Sequence, residues 1–120
     1  MLIKTIREYD EEAKEADVVV SDGQHEILCY AQPFENNNTS FVLLAFDDDN
    51  IMRALKNTYV VEKSKEDHYG YKLQGKLVDL KKRLVAIGDI VIELGNGIPK
   101  DIKENEFIEF TVVRVDLIEN

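Results

Sequence analysis

The hydrophobic positions of this chain alternate in short runs, and runs of that kind are strands. Over Tyr69 to Asp79, the residues Tyr69, Tyr71, Leu73, Gly75 and Leu77 fall on one face, and Gly70, Lys72, Gln74 and Lys76 on the other. This period of two marks a strand with one face in a core and one in water. Gly75, on the apolar side, predicts a bend or a close approach of another backbone. Val18 to Ser21 and His25 to Ala31 flank Asp22-Gly23, a pair suited to a type I′ hairpin turn. Leu84 to Ile87 and Ile90 to Leu94 flank Gly88-Asp89, where a leading Gly suits type II′. Leu2 to Tyr9 reads as a first strand and Thr58 to Glu62 as a short one. Glu106 to Ile118 reads as a long closing strand, or one with a bulge. Ser40 to Phe46 is apolar at every second position and between, which predicts burial on both faces. Glu11 to Asp17 has no apolar stripe and predicts a solvated loop or one helical turn. An Asp of Asp47-Asp48-Asp49-Asn50 can cap a short helix with Ile51, Met52 and Leu55 facing inward.

The order of these signals repeats. A valine run, an Asp-Gly turn, an apolar strand, Pro33 and a strand opening at Phe41 are followed later by a parallel set. That set is Leu84 to Ile87, Gly88-Asp89, Ile90 to Leu94, Pro99 and a strand opening at Phe107. Pro33 stands as far before Phe41 as Pro99 before Phe107. The pattern predicts one domain over 1–120, with a pseudo-repeat of 2–51 and 70–118 joined through the polar stretch Ser64 to His68. Many short strands with Gly turns and at most short helical turns predict an all-β fold. A small, partly open β-barrel of two strand-hairpin-strand units is expected, because closure removes edges that apolar strands would otherwise expose.

The segment Ile98-Pro99-Lys100-Asp101-Ile102-Lys103-Glu104-Asn105-Glu106-Phe107-Ile108-Glu109-Phe110 resembles the closing part of OB-fold and related small barrels. There a proline, a polar turn and an apolar-x-apolar strand bring the last strand back across the barrel. The resemblance covers the last third of the chain, is shared by several barrel families and carries over no functional residue.

Composition narrows the function classes. The net charge is -9, and it is uneven: residues 1–60 hold 5 basic and 12 acidic side chains, residues 61–120 hold 10 and 12. An acidic surface repels phosphate backbones, which disfavours generic nucleic-acid binding. The longest apolar run, Phe41 to Phe46, is far too short to span a bilayer. The N-terminal residues turn charged too soon for a signal-peptide core, and the single Cys29 excludes an internal disulfide, so a cytoplasmic setting is expected.

The candidate chemistry is sparse. Asp47, Asp48 and Asp49 are hard-cation donors by type, but no alternating carboxylates, Gly turn and distal Glu follow them, so capping is the preferred reading. His25 and His68 share no ligand spacing with each other or with Cys29. Cys29 alternates with Ile27 and Ala31 and reads as a buried thiol. Gly95-Asn96-Gly97 runs into Ile98-Pro99 and not into a helix, so it is not a phosphate loop. No catalytic residue, metal ligand or cofactor contact is therefore assigned. Lys72, Lys76, Lys81, Lys82 and Arg83 form the one basic concentration and are the candidate contacts for single-stranded nucleic acid, although Tyr69 and Tyr71 fall on the opposite face. Three functions follow in order of preference. The first is a non-catalytic module that binds a protein partner through the loops Glu35 to Ser40 and Ser64 to Tyr69. The second is an OB-like nucleic-acid binder. The third is a small-ligand protein or enzyme with His25, Tyr30 or Asp47 converging in a barrel mouth.

Overall fold

A computed structural model describes residues 1–37 and 40–120. Among these the chain is all-β, with eleven strands in one mixed sheet. The strands are β1 (Leu2–Asp10), β2 (Glu15–Ser21), β3 (Glu26–Ala31), β4 (Phe41–Phe46), β5 (Asp49–Arg53) and β6 (Val60–Lys63). They continue with β7 (Tyr71–Asp79), β8 (Leu84–Ile87), β9 (Ile90–Glu93), β10 (Phe107–Val112) and β11 (Arg114–Glu119). The sheet order is β1-β2-β3-β11-β4-β9-β8-β7-β10-β5, with β6 beside β7. The sheet curls around one core but does not close, so the architecture is a partly open barrel.

The order reads alike from either side of the central β11–β4 pair. β1, β2 and β3 form a meander whose third strand lies parallel to β11, and β7, β8 and β9 form one whose third strand lies parallel to β4. The packing repeats with it. Val18 pairs with Cys29 and Val20 with Ile27 in one hairpin, and Val85 pairs with Ile92 and Ile87 with Ile90 in the other. All eight side chains are fully buried. In this order the counterpart of β4 is β11, whereas the matched Pro-to-Phe spacing sets β4 against β10.

Several sequence expectations change on the structure. β2 begins at Glu15, so Asp17 lies inside a strand and is buried. The first hairpin is no two-residue I′ turn: β2 and β3 are separated by Asp22 to His25, and Asp22 takes no positive φ. The second hairpin does turn in two residues, with Gly88 at φ +60°. β4 is buried on one face only. Leu43 and Ala45 point inward, while Val42 and Phe46 are 43% and 47% exposed. No helix follows it; Asp47 makes a left-handed turn into β5, Ile51 is half-buried, Met52 is half-exposed and Leu55 is fully exposed. The Glu106 to Ile118 strand breaks at Val113 into β10, paired with β7 and β5, and β11, paired with β4 and β3. Gly75 does sit at a close approach, since a Cβ there would run into the Ala86 carbonyl of β8.

Two carboxylates tie the hairpins and turns together. Asp22 accepts the backbone N–H groups of Gln24, His25 and, across the molecule, Asp89 at 3.0 Å. Asp48 accepts those of Gly95 and Asn96, at 2.9 and 3.1 Å. Bonds from backbone N–H groups, that of His25 foremost, hold the Asp22 carboxyl well below the ordinary carboxylate range. The folded state therefore binds fewer protons here. The stabilisation is whole above about pH 4, where the unfolded Asp is ionised, and drains as pH falls through the depressed folded value. Asp22→Asn places an amide N–H₂ among backbone donors. It is expected to cost about 1.5–3 kcal/mol near pH 7 and to blunt the acid sensitivity of unfolding, read by urea denaturation at neutral and acid pH.

Candidate interaction surface

Outward-facing residues of β3, β11 and β4 form a single surface, because paired residues on adjacent strands point the same way. Tyr30 is opposite Asp116, Asp116 is opposite Leu44, Arg114 is opposite Phe46, and Ile118 is opposite Val42. The Arg114 guanidinium lies over both the Tyr30 ring, at 4.5 Å, and the Phe46 ring, at 4.4 Å. Its Nε donates to Asp116 at 2.5 Å, and that bond, ahead of other causes, raises the Arg114 pKa further. The guanidinium is thereby held over two aromatic rings while its planar fork bonds a carboxylate, an arrangement a lysine does not reproduce. Phe46, Val42 and Ile118 are each 40–47% exposed, so the surface carries apolar area that the fold itself leaves uncovered.

The polar segment between β6 and β7 folds over one end of this surface. Ser64 N–H donates to the Gly70 carbonyl at 2.8 Å, and the Ser64 hydroxyl accepts the N–H groups of Glu66 and Asp67. The Lys63 ammonium donates to the Asp67 carbonyl. This closed loop delivers two side chains to the buried Asp17. His68 Nε2 lies 2.8 Å from one carboxylate oxygen and the Tyr69 hydroxyl donates to the other at 2.5 Å. Tyr69 packs edge-on against both His68 and Tyr30, which joins this knot to Arg114 and Phe46. Burial, then the Asp17 carboxylate, pushes the Tyr69 phenol well above the usual tyrosine range. Tyr30 is raised too, by burial and by Glu15. On its other side the loop borders an open groove of about 460 Å³, lined from Glu62 to Asp67 and by Tyr71 and Lys72.

The remaining sequence candidates are scattered. Lys72 and Lys76 stand on the outward side of β7, while Lys81, Lys82 and Arg83 lie in the turn beyond it. Arg83 is half-buried and donates to the Leu94 carbonyl at 3.1 Å. Lys72 faces Glu62 across the β6–β7 ladder, and Lys76 faces Phe107, whose ring contacts Tyr59. His25, Tyr30 and Asp47 keep separate company: His25 with Asp22 and Tyr59, Tyr30 with Tyr69 and Arg114, and Asp47 in the β4–β5 turn. Cys29 is buried, and desolvation pushes its thiol far above the usual range. Among the described residues no group of three His, Cys, Asp or Glu side chains is placed to hold a metal, and no helix is long and apolar enough to cross a membrane. Of the loop Glu35 to Ser40, Asn38 and Thr39 lie outside the described residues; Glu35 N–H donates to Glu119 at 2.6 Å. The sequence signals missed Arg114 and Phe46 entirely. Their one visible trace is an arginine in an otherwise apolar alternation, Val113-Arg114-Val115.

Comparison with known proteins finds no matching family model, no matching curated protein and no matching solved structure.

The Asp17 knot has a direct spectroscopic consequence. In a tyrosinate absorbance titration Tyr69 ionises after the exposed tyrosines. Asp17→Asn removes the adjacent negative charge and is expected to bring that last transition down in pH. An unchanged transition would show that burial alone sets it.

Proposed function

We propose that this chain is a non-catalytic protein-binding or assembly module, built on a barrel of two similar units. The observation that carries the reading is the Tyr30–Arg114–Phe46 stack, held by Asp116, on a solvent-facing strip of sheet that also exposes Val42 and Ile118. Aromatic and arginine side chains dominate the energetics of protein interfaces, and exposed apolar patches mark them. The stack is already formed without a partner, with Arg114 bonded to Asp116 through Nε, so less side-chain freedom is left to lose on contact. The net charge of -9 favours a basic partner, attracted over a distance and held less tightly as salt rises.

The nucleic-acid reading has one observation in its favour, the Phe107–Tyr59 ring pair beside Lys76. Against it, Glu62 faces Lys72 and Glu109 faces Gln74, so carboxylates interrupt any basic track on that side. The small-ligand or enzyme reading has open grooves beside Ser64 to Asp67 and beside His25, neither of which brings His25, Tyr30 and Asp47 together.

The test is affinity capture with the full chain, with eluates analysed for protein and for nucleic acid. One stoichiometric basic protein is expected, with affinity falling as salt rises. Phe46→Ala together with Arg114→Ala should weaken its capture by about 30-fold or more, the cost of losing a hot spot. Recovery of nucleic acid without such a protein, or capture indifferent to the double variant, would remove this reading.

A further inference from the structure

The outer strands of the two meanders are covered differently: β7 also carries β6 on its inner side over Tyr71–Gln74, where β1 keeps β2. β7, the outer strand of the second, is covered along its free side by β10, antiparallel over six residue pairs from Tyr71–Val112 to Lys76–Phe107. β1 stands in the same place in the first meander, and among the described residues its outer side pairs with no strand. The register of β1 on β2 sets Ile6 against Val18, as Leu77 is set against Val85. By that correspondence the stretch of β7 covered by β10 matches the N-terminal half of β1, up to Thr5.

The core is open at the same place. Met1, Ile3, Ile6 and Phe41 pack against the buried cluster but remain only partly buried. A groove of about 380 Å³ runs along β1 between Leu2–Ile6 and the pair Asn36 and Phe41. Unpaired backbone donors and acceptors beside uncovered apolar side chains are what an added strand satisfies. The C-terminal half of β1 is closed to such pairing. Register shifts against β2 lie between Ile3 and Thr5 and between Arg7 and Asp10, but only the second comes with a left-handed residue, Glu8 at φ +45°, which turns the edge out of line. Beyond Ile6 the exposed side chains are mostly acidic: Glu8, Asp10, Glu11 and Glu12 follow Arg7.

We infer that the Leu2–Ile6 edge of β1 is a second binding site, which takes an extended segment of another protein as an added antiparallel strand. The occupant has the chemistry of β10, apolar at alternate positions so that those side chains enter the groove beside Ile3 and Phe41. Basic residues precede that alternation. An antiparallel strand ending near Leu2 begins beyond Ile6, over Glu8 to Glu12, where lysines or arginines find opposite charge. The site is separate from the Arg114 stack and stands or falls independently of it.

The probe is a peptide of three lysines followed by the sequence of residues 107–112, Phe-Ile-Glu-Phe-Thr-Val, added to the full chain. Amide hydrogen exchange of Leu2 to Ile6 is expected to slow by about tenfold or more at saturation, and not with a control peptide whose Ile, second Phe and Val are serine. Thr5→Pro, which puts a proline on the edge, should abolish the protection. Leu2→Lys, at a side chain already 73% exposed, should weaken it and serves if Thr5→Pro does not fold. Unchanged exchange at Leu2 to Ile6 would overturn the inference. So would protection that grows with protein concentration alone, which would make the occupant a second copy of this chain. Loss of peptide protection in these variants with partner capture intact would leave the Arg114 surface standing by itself.

Discussion

The pairing of β4 with β11 is the constraint on which the rest of the structure depends. β4 follows β3 in the chain but lies parallel to β9, and β11 follows β10 but lies parallel to β3. Each meander is thus completed by a strand that the other half of the chain supplies, and the two supplied strands pair with each other over six residues. Leu43, Ala45, Val115 and Leu117 enter the core from this pair. Removing it would uncover the cluster that both hairpins share, Ile27, Ile90 and Ile92 among its members, and full burial of an isoleucine side chain is worth about 1.5–3 kcal/mol. Separate stability of the two halves is therefore not expected from this topology.

The same pair builds the outward surface. A strand presents alternate residues to opposite sides, so the register that sends Leu43 and Val115 inward sends Phe46 and Arg114 outward and opposite one another. The guanidinium stack is a by-product of core register rather than of loop geometry. The loop between β6 and β7 then adds His68 and Tyr69 at its margin by closing on Asp17. The sheet therefore holds the centre of the surface and a side-chain-anchored loop its rim, the division between scaffold and loop that the proposed binding role would use.

Much of the fold was legible along the chain. The alternation in β7, the Gly88-Asp89 turn and the close approach at Gly75 were all readable, because strand period and turn chemistry are local. Failures came where a local signal had a non-local owner. Asp47 to Asn50 carried capping residues, but the backbone there is claimed by β10, which makes β5 a strand. Phe41 to Phe46 is apolar throughout, yet only one of its faces meets the core, since the other belongs to the exposed side of an open sheet. Asp17 and His68 lie 51 positions apart and carry no spacing that joins them. Arg114 and Phe46 meet only through the β4–β11 register, which no local pattern specifies.

One measurement tests this account most directly. In Leu43→Ala, a substitution at a buried residue of β4, which pairs with β9 and β11, native-state hydrogen exchange would be followed for β2–β3 and β8–β9 together. The shared pair predicts that amides of both hairpins lose protection by the same free energy, about 2–5 kcal/mol for a core leucine. If β8–β9 were weakened while β2–β3 kept its full protection, the two halves would be independent and the claim that each completes the other would be wrong.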